Sequence, residues 1–122
     1  SYASERIVFD RPIGQNQAIQ HPLAQSWIDL HASELMIRHA GWLYDSGQPC
    51  GAEANAAKYF AAEAAHTAAT RAVTTHGGMG YAREFHVERL LRETMIPKLA
   101  PVSAQMILCY IAETVLGLPK SY

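Results

Sequence analysis

The chain has few cysteines and almost no net charge. Its 122 residues include only Cys50 and Cys109, which lie far apart in sequence and fit no metal-binding spacing. We expect two free thiols in a reducing compartment and no metal ligand set. Ten basic and eleven acidic residues leave a formal net charge of −1. This balance argues against a nucleic-acid-binding surface or a polybasic membrane anchor.

The sequence also shows no obvious long apolar run. No run satisfies the length that a bilayer span requires, and no secretion-signal pattern stands at the start, so we expect no membrane span. The chain opens with Ser1 rather than Met. This suggests a piece of a longer protein, in which other domains of the same chain are partners.

Alanine and helical periodicity dominate what is present, and no convincing strand is found. After an extended or irregular lead-in over residues 1–15, the apolar spacing and the breakers predict four helices, over residues 16–46, 52–76, 83–95 and 101–117. Pro22 is expected to bend or delay the first helix, Pro97 to close the third and Pro101 to lie in the first turn of the fourth. Short connections between four helices predict an all-α, up-and-down four-helix bundle, a single domain over residues 16–122.

Metal-centred and nucleophilic catalysis find little support. Glu63 and His66 form one acid-x-x-histidine pair, whereas di-iron bundles use two such motifs and two further carboxylates. The sequence contains no glycine-flanked serine elbow, and neither cysteine has a neighbouring histidine. We therefore expect structural roles for Glu63 and His66.

Two segments suggest a ligand. In the lead-in, Arg6, Phe9 and Gln17 surround the start of a helix, and an arginine fork with an aromatic plane suits a phosphate-bearing ligand with an aromatic end. In "THGGMGY", glycines such as Gly77 and Gly78 allow a backbone N–H to approach a phosphate oxygen, because no Cβ intervenes. A helix cap followed by a tight bend is the alternative interpretation of the glycines.

The order of four motifs resembles one known family. "ERIVFDRPIGQNQAI", "AVTTHGGMGY", "HVERLLRET" and a last helix ending "LGLP" together resemble the C-terminal helical domain of acyl-CoA dehydrogenases, over essentially the whole chain. The resemblance implies an FAD-containing oxidoreductase of fatty acid metabolism that desaturates acyl-CoA between the α and β carbons. It also implies a homo-oligomer (dimer or tetramer), electron-transferring flavoprotein as acceptor, and a cytoplasmic location, or the mitochondrial matrix in a eukaryote.

The resemblance further assigns residues to the cofactor. Arg6, Phe9 and Gln17 match the family residues on the pyrophosphate and adenine side of FAD. The glycine turn of a neighbouring subunit is expected to approach the same FAD. The matching positions in and before that turn, and those expected to contact the flavin, are Thr74, Gly77, Gly78, Ser103 and Gln105.

The catalytic position departs from the family pattern. Pro101 stands where many members carry the glutamate that removes the α-proton, and proline has no proton-accepting side chain. We expect the base upstream of Ser1, as in some relatives, and no activity from this chain alone. An inactive subunit of a hetero-oligomeric flavoprotein, a branch with different chemistry and a non-catalytic helical assembly module remain open. Glu93, beside Arg92, is expected to be ion-paired rather than a substitute base.

Overall fold

A computed structural model describes residues 1–121, and most of this range is helical, as the sequence predicts. Two long helices, joined by a short loop, lie at its centre. The elements are α1 (Tyr2–Glu5), β1 (Ile7–Val8), β2 (Arg11–Pro12), α2 (Gln17–Asp45), α3 (Gly51–His76), α4 (Val87–Glu93), α5 (Ile96–Leu99) and α6 (Ala104–Tyr110), which continues into a π-helical turn (Ile111–Val115).

Small side chains dominate the buried positions of α2 and α3, which pack against each other. The buried residues are Ser26, Ser33, Ala40 and Leu43 of α2 and Ala57, Ala62, Ala64 and Ala69 of α3. Such side chains let two helix axes approach closely. The buried Ser26 hydroxyl donates to the carbonyl of Pro22 at 2.9 Å, so it leaves no unsatisfied polar group in the contact.

The helix α3 has neighbours on both sides. It packs against α2 on one side and against α4, α5 and α6 elsewhere, while α2 has no comparable contact with α6. Ile107 of α6 is the only large side chain among the described residues that is fully buried, at 1% exposure. In contrast, Trp27 and Trp42 of α2 are 65% and 57% exposed. The interior of one chain is therefore thin, and large apolar surface is left on α2.

The lead-in is more ordered than the sequence predicts. It contains α1 and a two-stranded antiparallel hairpin with Ile7 opposite Pro12 and Val8 opposite Arg11. Its turn residues, Phe9 and Asp10, have φ of 52° and 62°. Two-residue hairpin turns need positive φ, for which Gly and Asn are the usual residues. The expectation of no strand is wrong because a bulky phenylalanine gave no turn signal.

The third predicted helix is shorter than expected. Residues Arg83–Phe85 form a 3-10 turn, and His86 adopts a left-handed conformation with φ of 59°. A left-handed residue cannot continue a right-handed helix, so α4 begins only at Val87. Pro97 does not close this helix. It lies in the first turn of α5, where the missing N–H of proline has no helical partner to lose.

Two further prolines differ from the prediction. The helix α2 begins at Gln17 and continues through Pro22, so Pro22 does not delay the start of the helix. Pro101 lies outside any helix, after a cis peptide bond, and α6 begins three residues later. Its N-cap is Ser103, whose Oγ accepts the backbone N–H of Met106 at 3.4 Å.

One stretch has the composition of a membrane-spanning helix, which the sequence analysis did not identify. Val87–Val115 has a mean hydropathy of 1.4 over its most apolar window and passes the criterion on length and composition. In the fold this stretch is not one continuous helix, because residues 100–103 between α5 and α6 are non-helical. The apolar residues are divided among three short helices that pack on α3.

Candidate functional site

A cavity of about 460 Å³ lies where the lead-in meets the end of α3. Four of the residues that the sequence assigned to the cofactor line it: Arg6, Thr74, Gly77 and Gly78. The hairpin and α1 bring Arg6 to this place, since α1 packs against α3. We expected the glycine turn to come from a neighbouring subunit to meet Arg6. In this structure the turn and Arg6 of the same chain already line one cavity.

The Arg6 guanidinium is available to a ligand. Arg6 ends α1 in an extended conformation, with its backbone N–H donating to the carbonyl of Tyr2. Within residues 1–121 its side chain has neither a hydrogen bond nor an ion pair, whereas Arg11 donates to Asn16 Oδ1 at 2.7 Å. A free guanidinium fork at the wall of a cavity can bind an anion with two parallel hydrogen bonds.

Glycine is present at three positions of the turn for different structural reasons. Gly77 ends α3 with a φ of 60°, which disfavours other residues. A Cβ on Gly80 would lie 2.4 Å from the carbonyl oxygen of Val73, so the fold itself excludes a side chain there. A Cβ on Gly78 would meet nothing within 4 Å, and its φ is ordinary. Neither local geometry nor packing within this chain requires glycine at Gly78, which faces the cavity.

An aromatic cluster that the sequence analysis missed supports this cavity. The rings of Tyr2 and His76 stack with centroids 4.0 Å apart, and Phe85 meets both edge to face. His76 Nδ1 lies 2.7 Å from the carbonyl of Ala72, so the imidazole donates its Nδ1 proton and is held in one orientation. The available signal was the position of Tyr2 and His76 directly beside the two ligand motifs.

Thr74 uses its hydroxyl within the helix. Its Oγ1 lies within hydrogen-bond distance of the carbonyls of Thr70, at 3.2 Å, and Arg71, at 3.0 Å. The Thr74 hydroxyl has one proton, so it can donate to only one of these two carbonyls at a time. Thr74 therefore offers the cavity an oxygen acceptor and a methyl group.

Phe9 and Gln17 are not among the residues that line this cavity. Phe9 is at the tip of the hairpin and 94% exposed, with a positive φ that is rare for a bulky residue. Gln17 is exposed at the first position of α2. An exposed phenylalanine in a strained conformation points to a role outside the packing of this chain.

Ser103 and Gln105 form a second cluster at the start of α6. Gln105 lines a separate cavity of about 580 Å³, together with Cys109 and Glu113. The preceding residue of the loop, Val102, contacts Lys58 of α3. Thr74 lies sixteen positions after Lys58 along α3, a rise of about 24 Å. The eight assigned residues therefore do not form one site on one chain.

Side chains that could have served metal or base chemistry are engaged elsewhere. Glu63 forms an ion pair with Lys98 at 2.9 Å, and His66 Nδ1 lies 3.4 Å from the Thr94 hydroxyl. Glu93 is ion-paired, as expected, but with Arg89 at 3.0 Å.

Arg92, which the sequence analysis placed beside Glu93, bonds Glu88 instead at 2.9 Å. The reason is helical spacing, because residues four apart face each other and adjacent residues do not. The hydrogen bond from Arg92 and the negative charge of Glu88 raise the pKa of the guanidinium.

Comparisons with known proteins show which family this chain belongs to. The family model described as "Acyl-CoA dehydrogenase, C-terminal domain" matches residues 1–115. The acyl-CoA dehydrogenase FadE12 of Mycobacterium tuberculosis is 42% identical over 99% of this chain, which spans 32% of that protein. The glutaryl-coenzyme A dehydrogenase in its glutaryl-CoA complex is 32% identical, with a TM-score of 0.92 over 98% of this chain and 31% of that one.

A structure described as the FAD complex of PigA is 27% identical, with a TM-score of 0.91 over 96% of this chain and 30% of that one. The chain thus spans about a third of the length of the relatives it matches. The family match covers nearly the whole sequence, and the fold is shared with flavin-binding relatives. The chain belongs to the acyl-CoA dehydrogenase family and corresponds to its C-terminal helical domain.

Proposed function

We propose that this chain is the C-terminal domain of an FAD-dependent acyl-CoA dehydrogenase, to which it contributes cofactor contacts and an oligomer interface. The observation that carries the proposal is the cavity shared by the free Arg6 guanidinium and Gly78. The fold of this chain does not require glycine at position 78. A ligand that approaches the backbone closely at this position does require it, because a side chain would be in its way. Both features favour a phosphate-bearing ligand, and the FAD of a flavin-binding relative carries a pyrophosphate.

The residues present fit the pyrophosphate and adenine side of FAD. Arg6 supplies positive charge and two parallel donors for phosphate oxygens. The main chain at Gly78 carries no side chain that would screen it from a ligand, whereas the N–H of Gly77 already donates to the carbonyl of Thr74. Phe9, exposed at the tip of the hairpin, would supply an aromatic plane. Gln17 adds an amide at the start of α2.

Ser103 and Gln105 would hold the flavin end of a cofactor. The Ser103 oxygen already accepts the N–H of Met106, so its hydroxyl proton is free to be donated outward. Since this cluster lies about 24 Å along α3 from the Arg6 cavity, we propose that the two clusters of one chain serve different FAD molecules. Assembly of a homo-oligomer would then place the Arg6 cavity of one protomer against the flavin cluster of another.

The chemistry follows from these roles. Bound FAD would accept the hydride that leaves the β carbon of an acyl-CoA. Pro101 holds no proton and accepts none, so removal of the α-proton falls to a carboxylate elsewhere in the full-length protein. This chain orients the cofactor and is inactive alone. We also propose electron-transferring flavoprotein as the acceptor and a cytoplasmic or mitochondrial-matrix location.

The exposed apolar face of α2 supports the oligomer. Large apolar side chains follow one another at helical spacing along one face of this helix, each between 36% and 75% exposed. They are Leu23, Trp27, Leu30, Ile37 and Tyr44. Exposed apolar side chains along one face of a helix are typical of a protein–protein contact. We propose that it packs in a dimer or tetramer, with other domains of the same chain or with further copies.

The test uses the full-length protein and its visible spectrum. We expect a yellow protein whose absorbance is bleached by an acyl-CoA. Arg6→Ala should weaken FAD binding by about 10- to 100-fold, since a hydrogen bond to a charged group contributes roughly 1.5–3 kcal/mol. Arg89→Ala, which removes an exposed arginine already paired with Glu93, is the matched control and should leave FAD binding unchanged.

The alternative is a non-catalytic assembly module or an inactive subunit of a hetero-oligomeric flavoprotein, which Pro101 favours because it removes the usual base. A colourless full-length oligomer would support the module and contradict our proposal. A yellow protein that no acyl-CoA bleaches, but that restores activity to a partner subunit, would support the inactive subunit.

A further inference from the structure

Lys58 bridges α3 to the loop before α6. Its Nζ donates to the carbonyl oxygens of Pro97, at 2.5 Å, and Val102, at 2.6 Å. Lys58 lies in the N-terminal third of α3 and is partly buried. A single ammonium group thus joins the first turn of α5 and the loop before α6, at two positions five residues apart in sequence.

Both carbonyls lack the backbone donor that a continuous helix would supply. In a helix the Pro97 carbonyl would accept the N–H of residue 101, but Pro101 has none. The Val102 carbonyl would accept the N–H of Met106, but that group lies against the Ser103 hydroxyl. Without Lys58, two carbonyl oxygens would lose a charge-assisted hydrogen bond, the stronger kind in proteins. The sequence change at Pro101 and the lysine on α3 are therefore structurally linked.

The segment that Lys58 holds leads directly into the second cluster. Val102 is followed by Ser103, the N-cap of α6, and Gln105 lies in the first turn of that helix. Moving the Val102 carbonyl moves the Ser103 backbone with it, because the peptide unit between them is rigid. The Lys58 bridge therefore determines where the Ser103 hydroxyl and the Gln105 amide are presented.

We propose that Lys58 is a positioning residue for the flavin contacts of Ser103 and Gln105. It acts through the Pro97 and Val102 carbonyls and touches neither cofactor nor substrate. This inference rests on the proposed function, since it concerns the same cofactor. It goes beyond that function by assigning the geometry of the flavin cluster to a charged residue of another helix.

A second lysine provides a matched control. Lys98 of α5 joins the segment just before that loop to α3, through its ion pair with Glu63 at 2.9 Å. That contact joins two side chains that are each partly exposed and leaves the Val102 carbonyl untouched. A loss of loop attachment in general would appear in variants of either lysine, whereas a positioning role belongs to Lys58 alone.

The experiment measures the rate of flavin reduction by acyl-CoA in the full-length holoprotein, together with the visible flavin spectrum. Lys58→Met should lower the reduction rate by about 10- to 100-fold, because small displacements of positioning groups have effects of that size. Lys98→Met should stay within about twofold of the parent rate, since partly exposed ion pairs contribute little. FAD content should be retained in both variants, since the Arg6 cavity is distant.

A double-mutant cycle separates positioning from simple stabilisation. In a Ser103→Ala, Gln105→Ala background, Lys58→Met should lower the rate by less than about threefold, because residues that act through one another are not additive. Lys58→Arg keeps the charge and the donors, so it should recover part of the rate and shift the spectrum less. This variant also serves if Lys58→Met does not fold.

Several outcomes would overturn the inference. An unchanged reduction rate and spectrum in Lys58→Met and Lys58→Arg would do so, as would fully multiplicative effects in the cycle. If Lys98→Met lowered the reduction rate as much as Lys58→Met, the role of Lys58 would be general attachment of the segment to α3 rather than positioning. A parent protein without FAD would instead overturn the proposed function, and this inference with it.

Discussion

Gly78→Ala separates a glycine that the fold needs from one that a cofactor needs. A methyl group at this position meets nothing within 4 Å, and its φ is not in the left-handed region. The substitution should therefore leave the unfolding temperature unchanged or raise it, because alanine restricts the unfolded chain and stabilises compatible sites by about 0.4–1 kcal/mol. FAD should respond differently. A methyl group in the cavity moves a phosphate oxygen away from the backbone N–H.

The magnitude of the FAD effect follows from one lost hydrogen bond to a charged group, about 1.5–3 kcal/mol, or roughly 10- to 100-fold in Kd. The matched variant is Gly80→Ala. Its Cβ would lie 2.4 Å from the Val73 carbonyl oxygen, so we expect a loss of stability of about 1–3 kcal/mol.

The assay is FAD titration of the full-length apoprotein, with thermal unfolding of the same samples. Unchanged FAD affinity in a stable Gly78→Ala variant would refute the assignment of this turn to the cofactor. A strongly destabilised Gly78→Ala variant would refute the claim that the fold does not need glycine there.

Two further predictions concern residues on the outside of the chain. Phe9→Asn should raise the unfolding temperature of the apoprotein, since asparagine tolerates the positive φ and relief of such strain is worth on the order of 1 kcal/mol; FAD titration of the same variant should show weaker binding, and equal binding would exclude the aromatic contact. Ile37→Glu should shift the full-length protein to smaller species in light scattering, because it places a charge in the exposed apolar face of α2. Arg38→Gln, a change at the neighbouring exposed residue, should not, and an unchanged mass for Ile37→Glu would place the interface elsewhere.

The sequence predicted the long helices well and their neighbours poorly. Periodic apolar and alanine-rich patterns located α2 and α3 to within a residue or two, because local propensity accumulates over many turns. The region after Gly77 was predicted as two helices, over residues 83–95 and 101–117, and is a series of shorter pieces. His86 adopts a left-handed conformation there, and this conformation cannot be predicted from its residue type.

The candidate site divides in the same way. The motif order indicated Arg6 and the glycine turn, and the fold places them in one cavity. The sequence could not tell that Arg6 and the turn of the same chain lie together, because that depends on how α1 packs against the end of α3. It also could not explain the three glycines separately. Gly77 has a positive φ, a side chain at Gly80 would clash with Val73, and Gly78 faces open space.

By itself, the sequence determined the helical class, the family and the residue types available to a cofactor. These properties depend on local propensity and on the order of residues along the chain. Only the tertiary structure decided which residues meet, namely Arg6 with Gly78 and Lys58 with the loop before α6. The physical reason is that such contacts join residues far apart in sequence, and their geometry is determined by the packing of whole helices.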